Sequence, residues 1–387
     1  MFFSSKNTKY TFAIANLILA VACTHSTKQV SQNYICTAEI PVTDTLRIAS
    51  DKGNLPQMDG SASTTDFVIL QENDRTMFAD INQVIDAFGK YFIVDTYGSR
   101  RVVSFDHCGR PLASYGKQGN GPGEYIYPWD VDVTAEYVYI LDISQRRLLR
   151  YSHEGNYLDS RTIPFDSRGF ALLKQGKLLF QLEPSKEGNY QLCVTDSGLN
   201  PLSYMLRYPD GYVGGWVTDA VFRKTDNGIT YYSSPADTIY RLDYEGNLIG
   251  KRLLQFENGP VDASAKINFI EAEQQGKLTV GMHLLNNPVE LPNGVCFMEV
   301  TDYSEGGTYV VALNPANGMH GARKFADNMS VYDVIIPCAS TEDNQVISYL
   351  DREIAGKCVD FDALPDSLVK ALDEGNRLLV LHRVGSR

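Results

Sequence analysis

The chain has 387 residues, of which 43% are hydrophobic, and carries a formal net charge of −12. That apolar content supplies a large core, and an all-β fold can exceed about 250 residues as one unit, so length alone does not demand two domains. The Lys and Arg residues are scattered rather than gathered on one basic face, which excludes a nucleic-acid partner.

The first segment is a targeting signal rather than part of the fold. Lys6 and Lys9 precede an apolar run, TFAIANLILAVA over 11–22, that is too short to anchor the chain across a bilayer. The run ends Leu19-Ala20-Val21-Ala22-Cys23, which resembles a bacterial lipoprotein signal. The resemblance implies that Cys23 becomes the lipidated first residue and that the membrane is met only through that anchor. A polar stretch, THSTKQVSQN, follows and suits a flexible tether. The expected organisation is a signal over 1–23, a tether over 24–44 and one domain over 45–387. No acidic residue directly follows the cysteine, which favours the periplasmic side of an outer membrane over the cell surface. Cys36, Cys108, Cys193, Cys296, Cys338 and Cys358 show no metal-ligand spacing. They read as thiols, with a Cys338–Cys358 disulfide left open.

Beyond the tether, 66–71 reads as a strand. Strand-like runs at 91–95 and 101–105 then lead to a turn at Gly109, and runs at 139–142 and 147–151 lead to a turn at Gly155. Arg101 and Arg147, Phe105 and Tyr151, and the two glycines all match at an offset of 46. Looser copies at 190–196, 239–244 and 309–313 lead to Gly198, Gly246 and Gly318, so the turn glycines are spaced 46, 43, 48 and 72. A period of about 40–50 residues with strand alternation is the signature of propeller blades. The longest spacing predicts an insertion, which we place at 284–307. A sixth unit assembles from 331–337, 346–350 and 378–384, with a helix-like insert at 364–374 and the strand at 66–71 as its fourth member. The fold class is therefore all-β, a six-bladed β-propeller with four-stranded antiparallel blades. Strands from both ends close the ring and remove free sheet edges.

The run Tyr115-Gly116-Lys117-Gln118-Gly119-Asn120-Gly121-Pro122-Gly123-Glu124-Tyr125, followed by Pro128, resembles the inter-blade signature of NHL-type repeats. With the signal and the 376–382 closing strand, the chain resembles the six-bladed β-propeller lipoproteins of gut Bacteroidota. That resemblance implies a fold and an address rather than a reaction.

Catalytic constellations are sparse. No metalloprotease, nucleophile-elbow, phosphate-loop or dinucleotide motif occurs. Gly119, Gly121 and Gly123 invite a phosphate cradle, but the residues after Glu124 and Tyr125 read as strand, so a structural blade-to-blade crossover explains the loop better. Asp130 and Asp132 share one face of a strand and could hold a cation or act as acid and base; lining a wet central channel is the plainer role. Arg101 and Arg147 follow Asp95 and Asp142 by similar steps, which suggests Asp–Arg ties between blades or a ligand clamp. His107 and His153 occupy equivalent turns, leaving His283 and His320 as weak metal candidates. The two tryptophans, Trp129 and Trp216, stand at blade starts with Asp130 and Asp219 near them, where aromatic faces suit sugar rings or apolar ligand parts.

These readings favour a binding or scaffold module for a glycan, peptide or protein at the mouth of the central channel, needing no cofactor. The alternative is an enzyme of the same fold, a metal-assisted lyase or hydrolase acting on glycan or peptide, which a divalent metal would accompany.

Overall fold

A computed structural model of the protein describes residues 40–50, 65–185, 188–214, 220–326 and 329–384. They form six small sheets around an axis, plus a two-stranded ladder in one crossover. Blade one runs from inside outward as Gln83–Ala87, Lys90–Asp95, Arg101–Asp106 and Pro111–Ser114. Blade two follows the same order with Pro128–Val133, Tyr137–Asp142, Arg147–Ser152 and Tyr157–Thr162, and blade three with Ser167–Leu172, Leu178–Leu182, Tyr190–Thr195 and Pro201–Arg207. Blade four comprises Phe222–Thr225, Gly228–Ser233, Thr238–Leu242 and Leu248–Phe256, with Val42–Ile48 added outside in parallel. Blade five starts with Met282–Leu284 and Val289–Glu290, both pairing with Cys296–Asp302, and continues through Gly307–Asn314 and Met319–Lys324.

Blade six closes the ring. Ala339–Ser340, Gln345–Leu350 and Arg377–Arg383 are completed by Thr65–Leu70, antiparallel to the C-terminal strand with Thr65 opposite His382 and Leu70 opposite Arg377. The expected inner strand at 331–337 does not form. Residues Val331–Asp333 make a 3-10 turn, and the innermost strand is the short Ala339–Ser340. The extra chain implied by the long glycine spacing also lies elsewhere. Residues 284–307 build blade five itself, and the addition is 257–281, which carries the helices Ala263–Ile267 and Phe269–Gln274.

The repeat works because each strand has two buried faces. Along Lys90–Asp95, Tyr91 and Ile93 join the apolar cluster between blades six and one, whereas Phe92 and Val94 join the one between blades one and two. Successive side chains point to opposite faces, so one strand serves two seams. Each of the other seams has a comparable cluster. The turn glycines close the hairpin between the third and fourth strands of a blade. Gly109 has φ +76°, and a Cβ there would lie 1.9 Å from the carbonyl oxygen of Ile69 in blade six, so both conformation and space require glycine. Asp106, Asp196 and Asp243 fasten such turns, each carboxylate accepting backbone N–H groups two and four residues ahead. Cys108, Cys193, Cys296, Cys338 and Cys358 are all thiols, so the Cys338–Cys358 disulfide is absent.

Candidate functional site

The connections between blades and the turns between second and third strands emerge at one mouth of the propeller. The other mouth carries the hairpin turns of His107 and His153, whose rings bond Asp86 and the Thr134 carbonyl at 2.8 Å each. Between the mouths, side chains cross the axis. The Lys224 ammonium of blade four donates to Asp132 of blade two at 2.6 Å. Its neighbour Arg223 donates to the carbonyls of Asn287 and Cys338, at 2.7 and 2.6 Å, beside blades five and six.

The inner-strand carboxylates are part of this framework: Asp132 faces the axis, where Lys224 meets it, and both carboxylates also tie their strand to the next blade. Asp130 accepts from Phe170 N at 2.8 Å and Asp132 from Leu172 N at 2.7 Å, both on the inner strand of blade three. Their two-residue spacing matches that of the N–H groups they receive, so they staple two strand edges together. Gln83 of blade one also donates to Asp130, at 3.2 Å. Burial pushes the Asp130 pKa up to about 7, only partly offset by these bonds.

The predicted Asp–Arg ties take a different form. Asp95 accepts from Ala79 N, Gly98 N and Ser99 N, each at 2.7 Å, and Asp142 from Ile126 N at 2.8 Å and Ser144 N at 3.0 Å. Each aspartate thus joins a blade's upper turn to the segment entering its inner strand. Arg101 donates to the carbonyls of Asp74, Arg75 and Met77, and Arg147 to that of Glu124 at 3.0 Å. Both arginines hold blade-to-blade crossings. The glycine-rich loop is such a crossing, and it is filled by its own side chain. The Glu124 carboxylate accepts from Gly121 N at 2.8 Å, where an anion would have to sit, and pairs with Lys117 at 3.3 Å. Gly119 leaves room for that carboxylate: a Cβ would lie 2.1 Å from Oε2. Tyr151 donates to the Gly123 carbonyl at 3.1 Å, and the buried Tyr125 hydroxyl receives Val102 N at 3.3 Å.

His283 is fully buried against Phe269, with ring centroids 4.6 Å apart, and burial pulls its pKa down to about 3. His320 receives Ala49 N at 3.3 Å. Among the described residues, no three His, Cys, Asp or Glu side chains gather as a metal site. Cys23, Trp216 and Asp219 lie outside the described residues.

Trp129 is half-buried at the upper mouth, within an aromatic group drawn from blades one and two. It stacks on Tyr127 at 5.7 Å with an interplanar angle of 29°, and Tyr97 meets it edge-on at 5.8 Å. The Arg168 guanidinium of blade three lies over the indole, 5.6 Å from its centre, and pairs with Glu183. Burial lowers the Arg168 pKa, while the phenol oxygens of Tyr97, Tyr208 and Tyr212 raise it. Arg168 thus stands where three blades' aromatic residues converge.

From Arg168 an open cleft runs between blades three and four. Tyr208 and Tyr212 stack along it, with centroids 4.8 Å apart and planes 13° from parallel. Tyr208 is fixed by donating to the Leu182 carbonyl at 2.9 Å. Tyr212 is half-buried, and burial lifts its pKa to about 12, so its phenol stays protonated at neutral pH. Tyr232 lines the cleft at 5% exposure with Ser234 beside it. Gly214 and Val221 also line this cleft.

Sequence reasoning singled out Trp129 but missed Arg168, Tyr97, Tyr127, Tyr208 and Tyr212. The available signal was positional, because Tyr97 follows the turn aspartate Asp95 and the other tyrosines stand in segments leading to inner strands.

Two solved structures share the fold. A Bacteroides fragilis protein named as exported is 19% identical with a TM-score of 0.72, covering 89% of this chain and 100% of its own. A member of the DUF4221 family from Bacteroides vulgatus is 12% identical with a TM-score of 0.51, covering 84% of this chain and 97% of its own. No curated protein matches the sequence. The family model described as "Domain of unknown function (DUF4934)" matches residues 43–375, nearly the whole propeller. The chain is a six-bladed β-propeller that belongs to the DUF4934 family.

Proposed function

We propose that the protein is an exported, lipid-anchored binding module whose ligand docks at the upper mouth, in the cleft that runs from Arg168 to Tyr212. The observation that carries this reading is the seating of Arg168 between the Trp129 ring and Glu183, at the head of a cleft that Tyr208 and Tyr212 line, in a propeller whose axis is crossed by side chains. Aromatic faces set around a few fixed polar groups are the usual makings of a small-ligand site. The lower mouth instead has hairpin turns whose N–H groups are taken up by the turns' own aspartate side chains. Export is supported by the residues leading to Cys23 and by the name of the Bacteroides fragilis structural relative.

A thermal-shift screen against oligosaccharides, peptides and divalent metals tests the proposal. A ligand that binds only the folded state stabilises it by about 2.7 kcal/mol at a hundredfold excess over its dissociation constant. We expect an organic ligand to raise the melting temperature of the wild type and to lose that effect in Tyr212→Ala. Stabilisation by metals alone would contradict the proposal.

A further inference from the structure

Resting on the binding reading above, we propose that the cleft between blades three and four takes a neutral saccharide, with Tyr212 as the platform for a sugar ring. Arg168 and Glu183 are the only charged side chains among the described lining residues, and they pair with each other. An anionic ligand would have to approach the Glu183 carboxylate, and a cationic one the Arg168 guanidinium, so neither sign of charge is favoured. A neutral polyol meets both partners on good terms, because the pair offers donors on one side and acceptors on the other to adjacent hydroxyls.

An apolar ligand would strip water from Arg168, Glu183, Gln181 and Ser234 without replacing its hydrogen bonds, which is costly. A peptide bound through its main chain needs a strand edge, and here the wall is built of side chains, with Pro184 and Pro235 contributing no N–H. The Tyr208–Tyr212 stack gives the sharper sign, because it is a rigid platform: Tyr208 is locked by the Leu182 carbonyl and covers one face of the half-buried Tyr212 ring. The C–H face of a pyranose packs on such a ring, and its hydroxyls point outward to the polar walls. Trp129 acts through Arg168, whose guanidinium lies over the indole, and is a positioning residue for the same site.

The test is isothermal titration of the full chain, held in a detergent without a sugar headgroup. The probes are neutral gluco-, galacto-, manno- and xylo-oligosaccharides, a hexuronate oligosaccharide and a capped peptide. We expect binding from at least one neutral series. Tyr212→Ala should weaken it by about tenfold or more, whereas Tyr212→Phe, which keeps the ring, should stay within about threefold. Tyr212→Phe also guards against misfolding, since both variants should share the wild-type near-ultraviolet dichroism. Binding of the hexuronate or the peptide alone, still sensitive to Tyr212→Ala, would overturn the neutral-saccharide assignment and leave the binding cleft standing. Binding indifferent to Tyr212→Ala would overturn both. Failure of every neutral series would overturn the assignment.

Discussion

Asp130 lies 5% exposed between the inner strands of blades two and three, and burial pushes its pKa up to about 7. An acid whose folded pKa exceeds its unfolded value of about 4 stabilises the fold fully below the unfolded value; the contribution is lost as pH rises through about 7. The surroundings suit the neutral form. Gln83 Oε1 is buried without a partner among the described residues, and turning that amide over would set it against a protonated Asp130 oxygen. Asp130→Asn keeps the acceptor for Phe170 N and removes the titration. Between about pH 5 and pH 8, wild-type stability should fall relative to the variant by roughly 2–3 kcal/mol. Parallel melting curves across that range would show that Asp130 stays ionised in the fold.

At the scale of elements, the strand Val42–Ile48 binds two blades at once. It pairs in parallel with Leu248–Phe256 of blade four, and Leu46 and Ile48, each 1% exposed, enter the cluster shared with blade five. Asp44 pairs at 3.0 Å with Arg252 of blade four, which pairs at 3.2 Å with Glu290 of blade five. A chain begun at residue 65 retains every four-stranded blade but loses this strand. The two apolar side chains alone contribute roughly 3–6 kcal/mol, so the melting temperature should drop by on the order of 10 °C relative to a chain begun at residue 40. Equal melting temperatures would reduce the strand to decoration. The uncovered edge of blade four should also promote association.

The elements were legible in the sequence wherever a glycine or aspartate turn repeated. Gly109, Gly155, Gly246 and Gly318 mark third-to-fourth strand hairpins, each at positive φ; in blade three the positive φ falls to Leu199, beside Gly198. Two placements failed for physical reasons. Glycine spacing shows that extra chain lies between Gly246 and Gly318 without saying where, and helices as short as Ala263–Ile267 and Phe269–Gln274 carry little periodic signal. In blade six the apolar run before Cys338 imitates a strand, yet its residues pack from a turn and irregular chain, as Val331 and Ile335 do.

For the whole molecule, the site was less legible than the fold because it is assembled across blades. Tyr97, Trp129, Arg168 and Tyr212 are far apart in sequence and are brought near one another only when blades one to four pack side by side. Asp130 and Asp132, adjacent to Trp129 and conspicuous in the sequence, turned out to serve the seam beneath it. The proposed lipid anchor at Cys23 belongs to the same scale. Cys23→Ser should abolish incorporation of labelled palmitate and release the protein from the membrane fraction, whereas continued labelling would place the lipid elsewhere.

The most direct test of the account is a crystal structure of the protein grown with whichever organic ligand stabilises it most. The account predicts the ligand at the upper mouth, lying on Tyr212 and within hydrogen-bonding distance of Arg168 or Glu183. A ligand seated at the lower mouth, among the turns of His107 and His153, would contradict it.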